Sequence, residues 1–281
     1  MQACLDAFTR GMHPYCSGSV PDRGIKMVNQ SIKRWLKYDK KCKYFVKLDI
    51  RKFFDNISAD MLKAALRKRI KDKDILWALD QIIDSAPSAC PVGYYTSPWF
   101  ANVLLQDFDW FVEQRLYKER RGKRVKYARH YMRYVDDILL IGTSKSDLYK
   151  AIKEIRNYLL DNYGLQIKDA WEISEVSKYK ENKVNKKKKY IDMGGYQFGS
   201  GVTIIRDGIY LETRRFAKKI KKRGYLTHKS AQSIMARIGW SNMADSYGFR
   251  HNDIKPYIDS TRIRRYIANV DKQRKRRVKQ A

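Results

Sequence analysis

Two adjacent carboxylates, Asp136 and Asp137, stand inside a run of apolar residues that begins at Tyr134 and ends at Gly142. Apolar and β-branched residues around the pair are typical of a strand. Like charges in such surroundings are costly unless a positive group neutralises them, and a divalent cation does this well. Hard oxygen ligands suit magnesium better than zinc. The pair by itself fits two structures equally: a metal site, or a tight turn between two strands, where Asp is common.

A third carboxylate, Asp49, ends another strand-like run upstream, and an aromatic pair and turn-forming residues follow it. If this strand lies beside the hairpin that carries Asp136 and Asp137, three carboxylates converge at one end of a sheet. Such a group can hold two magnesium ions, which activate an attacking hydroxyl and stabilise the leaving oxygen in phosphoryl transfer. The third carboxylate therefore favours the metal site over the simple turn.

These segments belong to an ordered series that resembles the prokaryotic reverse transcriptases from about residue 17 to the C-terminal region. The segment around Asp49 resembles the first catalytic block, Cys90–Asn102 the nucleotide and template block, Tyr134–Asp137 the metal-binding block, and Met193–Tyr196 the primer grip. Within that family, the chain is most similar to the enzymes of diversity-generating retroelements and to related phage-defence enzymes.

The resemblance implies an α+β fold, a right-hand polymerase palm with partial fingers and a mainly helical thumb. We expect partial fingers at residues 1–40, a palm with interleaved fingers elements at 41–200, and a thumb with a basic tail at 201–281. Helical periodicity over 59–83, 97–117 and 147–163, with a strand at 165–168, agrees with this alternation. The fingers look shortened at the start of the chain, which indicates truncation, a partner that supplies the missing surface, or a reduced reaction.

The resemblance also assigns the catalytic residues. Asp49 and Asp136 are expected to bridge two Mg²⁺ ions, the backbone carbonyl of Ile50 to complete one coordination shell, and Asp137 to support the site more loosely. The nucleophile is the 3′ hydroxyl of the primer, so the protein needs no covalent nucleophile. Lys168 matches a family lysine that protonates the departing pyrophosphate; the alternative is an exposed lysine on a strand.

Four residues are expected at the nucleotide. Phe53 and Phe54 follow the first catalytic block, and Phe54 falls where the family places the ring that excludes a ribose 2′ hydroxyl, although a core ring is the alternative. Gly93 should let the backbone approach the nucleotide. Val92 departs from the family, because many relatives carry glutamine there; its apolar side chain predicts relaxed base selection.

The remaining predicted contacts are with nucleic acid. Arg23, in a turn-rich loop of the fingers, is either a phosphate ligand or an ordinary loop arginine. Tyr95 and Ser97 belong to the nucleotide and template block. Gly195 and Tyr196 should contact the primer strand, with a buried core ring as the alternative for Tyr196.

The composition agrees with a polyphosphate partner. Lys and Arg number 60 against 30 Asp and Glu, a formal charge of +30 over 281 residues. Such a charge repels itself in a compact fold unless an anion screens it, and binding to nucleic acid should then depend strongly on salt. The chain also has 20 tyrosines, whose rings are suited to base stacking as well as to a core.

The cysteines exclude other classes of protein. Four of them, Cys4, Cys16, Cys42 and Cys90, lack Cys-x-x-Cys spacing, which argues against a zinc module and a secreted disulfide framework. Neither a signal peptide nor a membrane span is evident. We therefore expect a protein of the reducing prokaryotic cytoplasm.

The sequence thus predicts an RNA-directed DNA polymerase, a nucleotidyltransferase that uses deoxynucleoside triphosphates and a template or noncoding RNA to make DNA in a retroelement or antiphage defence system. One alternative is an RNA-binding scaffold whose polymerase site is inactive. Another is template-independent or protein-primed DNA synthesis. An accessory protein or a second copy of the chain could complete either assembly.

Overall fold

The computed structural model describes residues 8–85, 90, 93–178 and 188–280. The chain divides into two compact units, residues 1–189 and 190–281. Within the described residues, no helix has the length and apolar character that a membrane crossing requires.

The helices of the first unit are α1 (Gly24–Tyr38), α2 (Ala59–Arg69), α3 (Lys73–Asp84), α4 (Ser97–Leu104), α5 (Gln106–Arg115) and α6 (Lys145–Tyr163). The continuous helix predicted over 59–83 is wrong, because Asp72 starts a new helix: its side chain accepts a hydrogen bond from the Ile75 amide at 3.0 Å. The helix predicted over 97–117 is likewise divided, since α4 and α5 meet at Leu105 and Tyr117 begins a strand.

The strands of the first unit are β1 (Tyr44–Asp49), β2 (Tyr117–Arg120), β3 (Lys123–Lys126), β4 (His130–Tyr134), β5 (Asp137–Gly142), β6 (Ser174–Val176) and β7 (Lys188–Lys189). One sheet has the order β4-β5-β1-β6-β7, and β2 and β3 form a separate hairpin. The strand predicted at 165–168 is reduced to an isolated antiparallel bridge between Ile50 and Ile167.

The two faces of the main sheet differ. Val46 and Leu48 of β1 and Ile138 and Leu140 of β5 belong to the hydrophobic core that the sheet forms with the helices. The register pairs Leu48 with Ile138 and Asp49 with Asp137. Successive side chains of a strand point to opposite faces. Since Leu48 and Ile138 face the core, their neighbours Asp49 and Asp137 point to the opposite face.

The second unit contains a small antiparallel sheet followed by helices. Its strands are β8 (Ile191–Met193), β9 (Tyr196–Gly199) and β10 (Val202–Ile205), in the order β10-β9-β8. The helices are α7 (Asp207–Arg223), α8 (His228–Gly239) and α9 (Ser260–Gln280), with a 3₁₀ turn at Trp240–Met243 and a π-helix at Phe249–Ile254. The mainly helical character predicted for the end of the chain is confirmed.

Candidate active site

The turn between β4 and β5 presents the central carboxylate. Tyr134 of β4 pairs with Asp137 of β5, which leaves Val135 and Asp136 as the two residues of the turn. Val135 has a φ of +59°, a left-handed conformation that is unfavourable for a β-branched residue. The surrounding structure must therefore hold this turn in place.

Two contacts secure the turn. Gly18 packs directly against it: a Cβ at Gly18 would lie 2.8 Å from the Val135 amide nitrogen, so no larger residue fits without moving the backbone. On the other side, Arg133 Nη1 donates to the Val135 carbonyl at 2.8 Å. The strained residue is thus fixed through its own backbone.

Arg133 is itself fixed by a buried pair. Its Nε and Nη2 donate to the two carboxylate oxygens of Asp109 on α5, both at 2.7 Å, and Nη1 donates to Asn102 Oδ1 at 3.1 Å. Burial would lower the pKa of Arg133, but the Asp109 carboxylate raises it well above its ordinary value. Arg133 is close in sequence to Asp136, but it does not neutralise that residue. Its register partner on β5 is Ile138, which faces the core, so the Arg133 side chain also faces the core and forms its ion pair with Asp109.

Two lysines neutralise the candidate catalytic carboxylates. Lys168 Nζ lies 2.7 Å from Asp49 Oδ1, and Lys47 Nζ lies 2.9 Å from Asp137 Oδ1. The backbone holds Lys168 in place, because its amide donates to the Asp49 carbonyl at 2.8 Å. Lys47 shares a face of β1 with Asp49, two residues away.

Asp136 lies in an unfavourable electrostatic position. Burial raises its pKa, the charges of Asp137 and Asp49 raise it further, and Lys168 offsets part of this effect. The Asp49 carboxylate in turn raises the pKa of Lys168. An added cation would lower the repulsion among the carboxylates.

The donor chemistry of these aspartates fits magnesium. They offer carboxylate oxygens without a histidine or cysteine, and Asp49 Oδ1 is a buried oxygen without a well-directed hydrogen bond. In the described part of the chain, the three aspartates are not drawn together as closely as Asp39, Cys42 and His130, whose ligand atoms lie within 4.8 Å of one another. Asp49 and Asp137 each contact a lysine instead.

The closer group, Asp39 with Cys42 and His130, has the geometry of an ion pair. Asp39 Oδ2 accepts a hydrogen bond from Arg129 Nε at 2.6 Å and lies 3.0 Å from His130 Nε2. The hydrogen bonds from Arg129 and His130 help to lower the pKa of Asp39, although burial acts in the other direction. A cation would have to displace Arg129 from this carboxylate.

The residues after Asp49 differ in exposure. Ile50 is buried and forms the isolated bridge with Ile167. The two hydrogen bonds of this bridge are accepted by the Asp49 carbonyl and donated by the Arg51 amide, so neither uses the Ile50 carbonyl. Phe53 is a core residue, whereas Phe54 is partly buried, with ring centroids 5.3 Å apart. The Phe54 side chain therefore keeps part of its surface accessible.

The nucleotide and template block is only partly described. Val92 lies outside the described residues. Gly93 has a φ of +98°, and Tyr95 is 74% exposed. Ser97 is buried at the start of α4, where its carbonyl accepts a hydrogen bond from Cys90 Sγ at 3.3 Å. Tyr95 is thus available for stacking, whereas the Ser97 side chain is enclosed.

Arg23 has a structural role in its loop. Its Nη1 donates to the carbonyls of His13 at 2.7 Å and Cys16 at 2.9 Å. This corresponds to the alternative of an ordinary loop arginine. A phosphate contact would need another of its nitrogens or a change in these bonds.

In the second unit, Gly195 and Tyr196 pack against Trp240. A Cβ at Gly195 would lie 2.5 Å from Trp240 Cζ3, and the Tyr196 hydroxyl donates to the Trp240 carbonyl at 2.9 Å. The Tyr196 ring is fully buried, which corresponds to the core-ring alternative. Contact between Tyr196 and a primer would have to involve its backbone.

The structure therefore brings Asp49, Asp136, Asp137 and Lys168 together and adds Lys47, which the sequence reasoning missed. Spacing could have found Lys47, because residues two apart on a strand share a face. Asp109 was also missed, although an acidic residue within an apolar helical pattern is a signal of a buried partner.

Comparison with known proteins gives the family of this chain. The family model described as "Reverse transcriptase (RNA-dependent DNA polymerase)" matches residues 1–170. The retron Ec73 reverse transcriptase of Escherichia coli is 33% identical over 42% of this chain and 39% of its own length. Protein YkfC of Escherichia coli is 25% identical over 50% of this chain and 46% of its own. The chain thus spans less than half the length of these curated relatives.

Among solved structures, telomerase from Candida tropicalis in complex with a TWJ fragment of telomeric RNA aligns with a TM-score of 0.55 at 13% identity, covering 88% of this chain and 45% of that one. Apo telomerase from the same organism gives 0.54 at 15% identity, with 86% and 44% covered. This likeness confirms the predicted right-hand polymerase fold. Since the family model covers more than half of the chain and includes all the clustered aspartates, this chain belongs to the reverse transcriptase family.

Proposed function

We propose that this protein is an RNA-directed DNA polymerase that extends a primer 3′ hydroxyl by two-metal phosphoryl transfer. The observation that carries the proposal is the register of β1 and β5, which sets Asp49 opposite Asp137 beside the turn that presents Asp136. Carboxylates converging from two strands and a turn are suited to hold two Mg²⁺ ions, as this reaction requires.

Each residue has a distinct role in this proposal. Asp49 and Asp136 hold the metal ions, the Ile50 carbonyl completes one shell, and Asp137, with Lys47 beside it, supports the site more loosely. When bound, the ions supply positive charge at the attacking and leaving oxygens. Lys168 releases Asp49 and donates a proton to the departing pyrophosphate, because its ammonium is carried on a flexible stem.

The substrates follow from the same proposal. The protein would use deoxynucleoside triphosphates, with the partly buried Phe54 ring set against the sugar and the Gly93 backbone beside the nucleotide. A template or noncoding RNA and the DNA product would neutralise part of the +30 charge. We assign partial fingers to residues 1–40, palm to 41–200 and thumb to 201–281, within a retroelement or defence system that could include an accessory protein or a second copy.

Primer extension tests the proposal. The purified chain is given an RNA template, a DNA primer, deoxynucleoside triphosphates and Mg²⁺, and product is compared between the wild type and Asp136→Ala. We expect the variant to lose about 10³-fold or more in rate, because several kcal/mol of transition-state stabilisation disappear with a metal ligand. Asp55→Ala, a change at an exposed aspartate nearby, is the matched control and should extend normally.

The outcomes separate the alternatives. Incorporation that persists in Asp136→Ala would remove the metal-site assignment. A wild type that binds RNA but incorporates nothing would favour the scaffold. Sequencing the product distinguishes templated synthesis, which gives the complement of the supplied RNA, from template-independent addition.

A further inference from the structure

A cavity of about 630 Å³ lies beside the β2–β3 hairpin, and most of its lining is basic. The residues that supply its positive charge are Lys41, Lys118, Arg120, Arg124, Lys126 and Arg129. Asp147, near the start of α6, is the acidic residue of the lining. We refer to this site as the hairpin cavity.

The hairpin cavity lies at the other end of the sheet from the candidate active site. The β1–β5 register runs from the pair Tyr44 and Gly142 to the pair Asp49 and Asp137. Five residues of strand separate these pairs by about 17 Å at the usual rise. Lys41 and Thr143 line the cavity beyond the Tyr44 end, so the cavity is distinct from the carboxylate cluster.

Acidic neighbours account for only part of this charge. Lys118 Nζ contacts Asp147 at 2.5 Å, Arg129 Nε contacts Asp39 at 2.6 Å, and Lys126 pairs with Glu113. Lys41, Arg120 and Arg124 form no ion pair with an acid of the described chain. These cations remain available to an external anion.

The β2–β3 hairpin carries many positive charges, and these do not stabilise a two-stranded ribbon. Residues 117–126 read YKERRGKRVK, and β3 is exposed along its whole length. The register sets Arg120 directly opposite Lys123, a like-charge pair that destabilises a hairpin, and it sets Glu119 opposite Arg124. An anion bound along the ribbon would relieve this repulsion.

The hairpin also carries an aromatic face. The Arg124 guanidinium lies 4.5 Å from the centroid of the Tyr117 ring, which restricts its motion and leaves its donors in a defined plane. Guanidinium planes and aromatic rings recognise phosphates and unstacked bases in single-stranded RNA. The distribution of cations over two strands and the loop at Lys41 fits a chain of phosphates better than a single small anion.

We propose that the hairpin cavity binds the phosphodiester backbone of an RNA segment that lies outside the catalytic groove. The proposal rests on the proposed function in one respect, since it takes RNA to be the protein's nucleic-acid partner. The site anchors a bound RNA at a point distant from the reacting 3′ end. Its affinity is electrostatic and independent of sequence.

The test compares salt-dependent RNA binding by two triple variants of the full chain. One variant, Lys41→Gln/Arg120→Gln/Arg124→Gln, removes the unpaired cations of the cavity. The matched control, Lys71→Gln/Lys73→Gln/Lys153→Gln, removes the same charge from exposed positions outside the cavity lining. The probe is a 40-nucleotide single-stranded RNA of mixed sequence, about long enough to span several sites.

We expect the cavity variant to bind more weakly with a salt slope shallower by about 2, because each lost single-strand phosphate contact contributes about 0.7. This corresponds to a loss of about 100-fold in affinity at 0.1 M salt that shrinks towards 1 M. The control should differ much less from the wild type in RNA affinity and salt slope, and neither variant should unfold at a lower temperature than the wild type. Equal affinities and slopes for the cavity variant and the control would overturn the proposal.

Two further measurements identify the partner and separate this proposal from the catalytic one. If the cavity variant keeps its RNA affinity but loses binding to a polyglutamate peptide, the cavity binds acidic protein segments and our proposal is wrong. On a short hybrid primer–template of about 10 base pairs, the cavity variant should extend the primer at the wild-type rate. If the wild type extends no primer, the proposed function fails, whereas the RNA-binding comparison is still decided by its own measurement.

Discussion

Carboxylates near the two faces of the main sheet have different counterions. On the core side stands Asp109 of α5, and on the other side stand Asp49 and Asp137. Asp109 is 1% exposed, and each of its carboxylate oxygens accepts a hydrogen bond from the fully buried Arg133 guanidinium. Asp49 and Asp137 are 36% and 27% exposed, and their partners Lys168 and Lys47 are 50% and 32% exposed. One group has a permanent counterion, and the other has counterions that can be exchanged.

The difference follows from the chemistry of the two cations. A planar guanidinium that binds both oxygens of a buried carboxylate cannot leave without exposing an unpaired charge to a medium of low polarity. A lysine ammonium on a flexible stem, in contact with water, can move away when a metal ion arrives. The buried pair therefore fixes the turn at Val135, while the contacts of Lys168 and Lys47 with Asp49 and Asp137 lie where water reaches them.

The largest effect should come from breaking the buried pair. Arg133→Met leaves the Asp109 carboxylate in the core without its ion-pair partner, with the Tyr131 hydroxyl still donating a hydrogen bond to it, and we expect a loss of about 3–5 kcal/mol in the free energy of unfolding, measured with urea. The double variant Arg133→Met/Asp109→Leu should recover much of this loss, because it removes both charges. A single variant within about 1 kcal/mol of the wild type would show that the pair is not what holds the turn.

A smaller effect, on rate and not on stability, should come from the exchangeable lysines. We expect Lys168→Gln to lower kcat by about 10²-fold with little change in KM, as the loss of a general acid does. Lys47→Gln should lower kcat by less than about tenfold, because an exposed ion pair contributes little. Single-turnover incorporation measures both. Equal losses would mean that Lys168 acts only as a counterion.

The smallest effect concerns Asp136 and pH. Its folded pKa is raised, mainly by burial and then by Asp137 and Asp49, so the folded state binds the proton more tightly than the unfolded state. Wild-type stability should therefore fall as the pH rises through the interval between the unfolded and folded pKa values.

Asp136→Asn removes this titration. In metal-free buffer, its thermal midpoint should exceed that of the wild type at neutral pH, and the gap should narrow below the ordinary aspartate range. Asp55→Asn, at an exposed position, is the control and should show no such gap. A gap that is constant across pH, or one that favours the wild type, would contradict the expected electrostatic cost at Asp136.

The sequence predicted the strands at Asp49 and Asp137 because an apolar run predicts a buried strand from local residues alone. It did not predict the break at Asp72, where a side chain caps a new helix within an unbroken apolar stripe. For Tyr196 it left open a primer contact and a buried core ring, because the exposure of this ring depends on Trp240, which is distant in sequence. Ser97 and Arg23 are similar cases, since neighbouring backbone decides what their polar atoms reach.

By itself, the sequence determined the family and the fold class, and it singled out the three aspartates as candidate site residues, because these depend on local patterns of apolar and acidic residues in a fixed order. Only the tertiary structure decided which cation faces each carboxylate. Arg133 is next to the turn in sequence yet pairs with Asp109, while Lys168 reaches Asp49 from more than a hundred residues away. The approach of segments that are distant in sequence sets these pairings, and this approach cannot be derived from spacing along one chain.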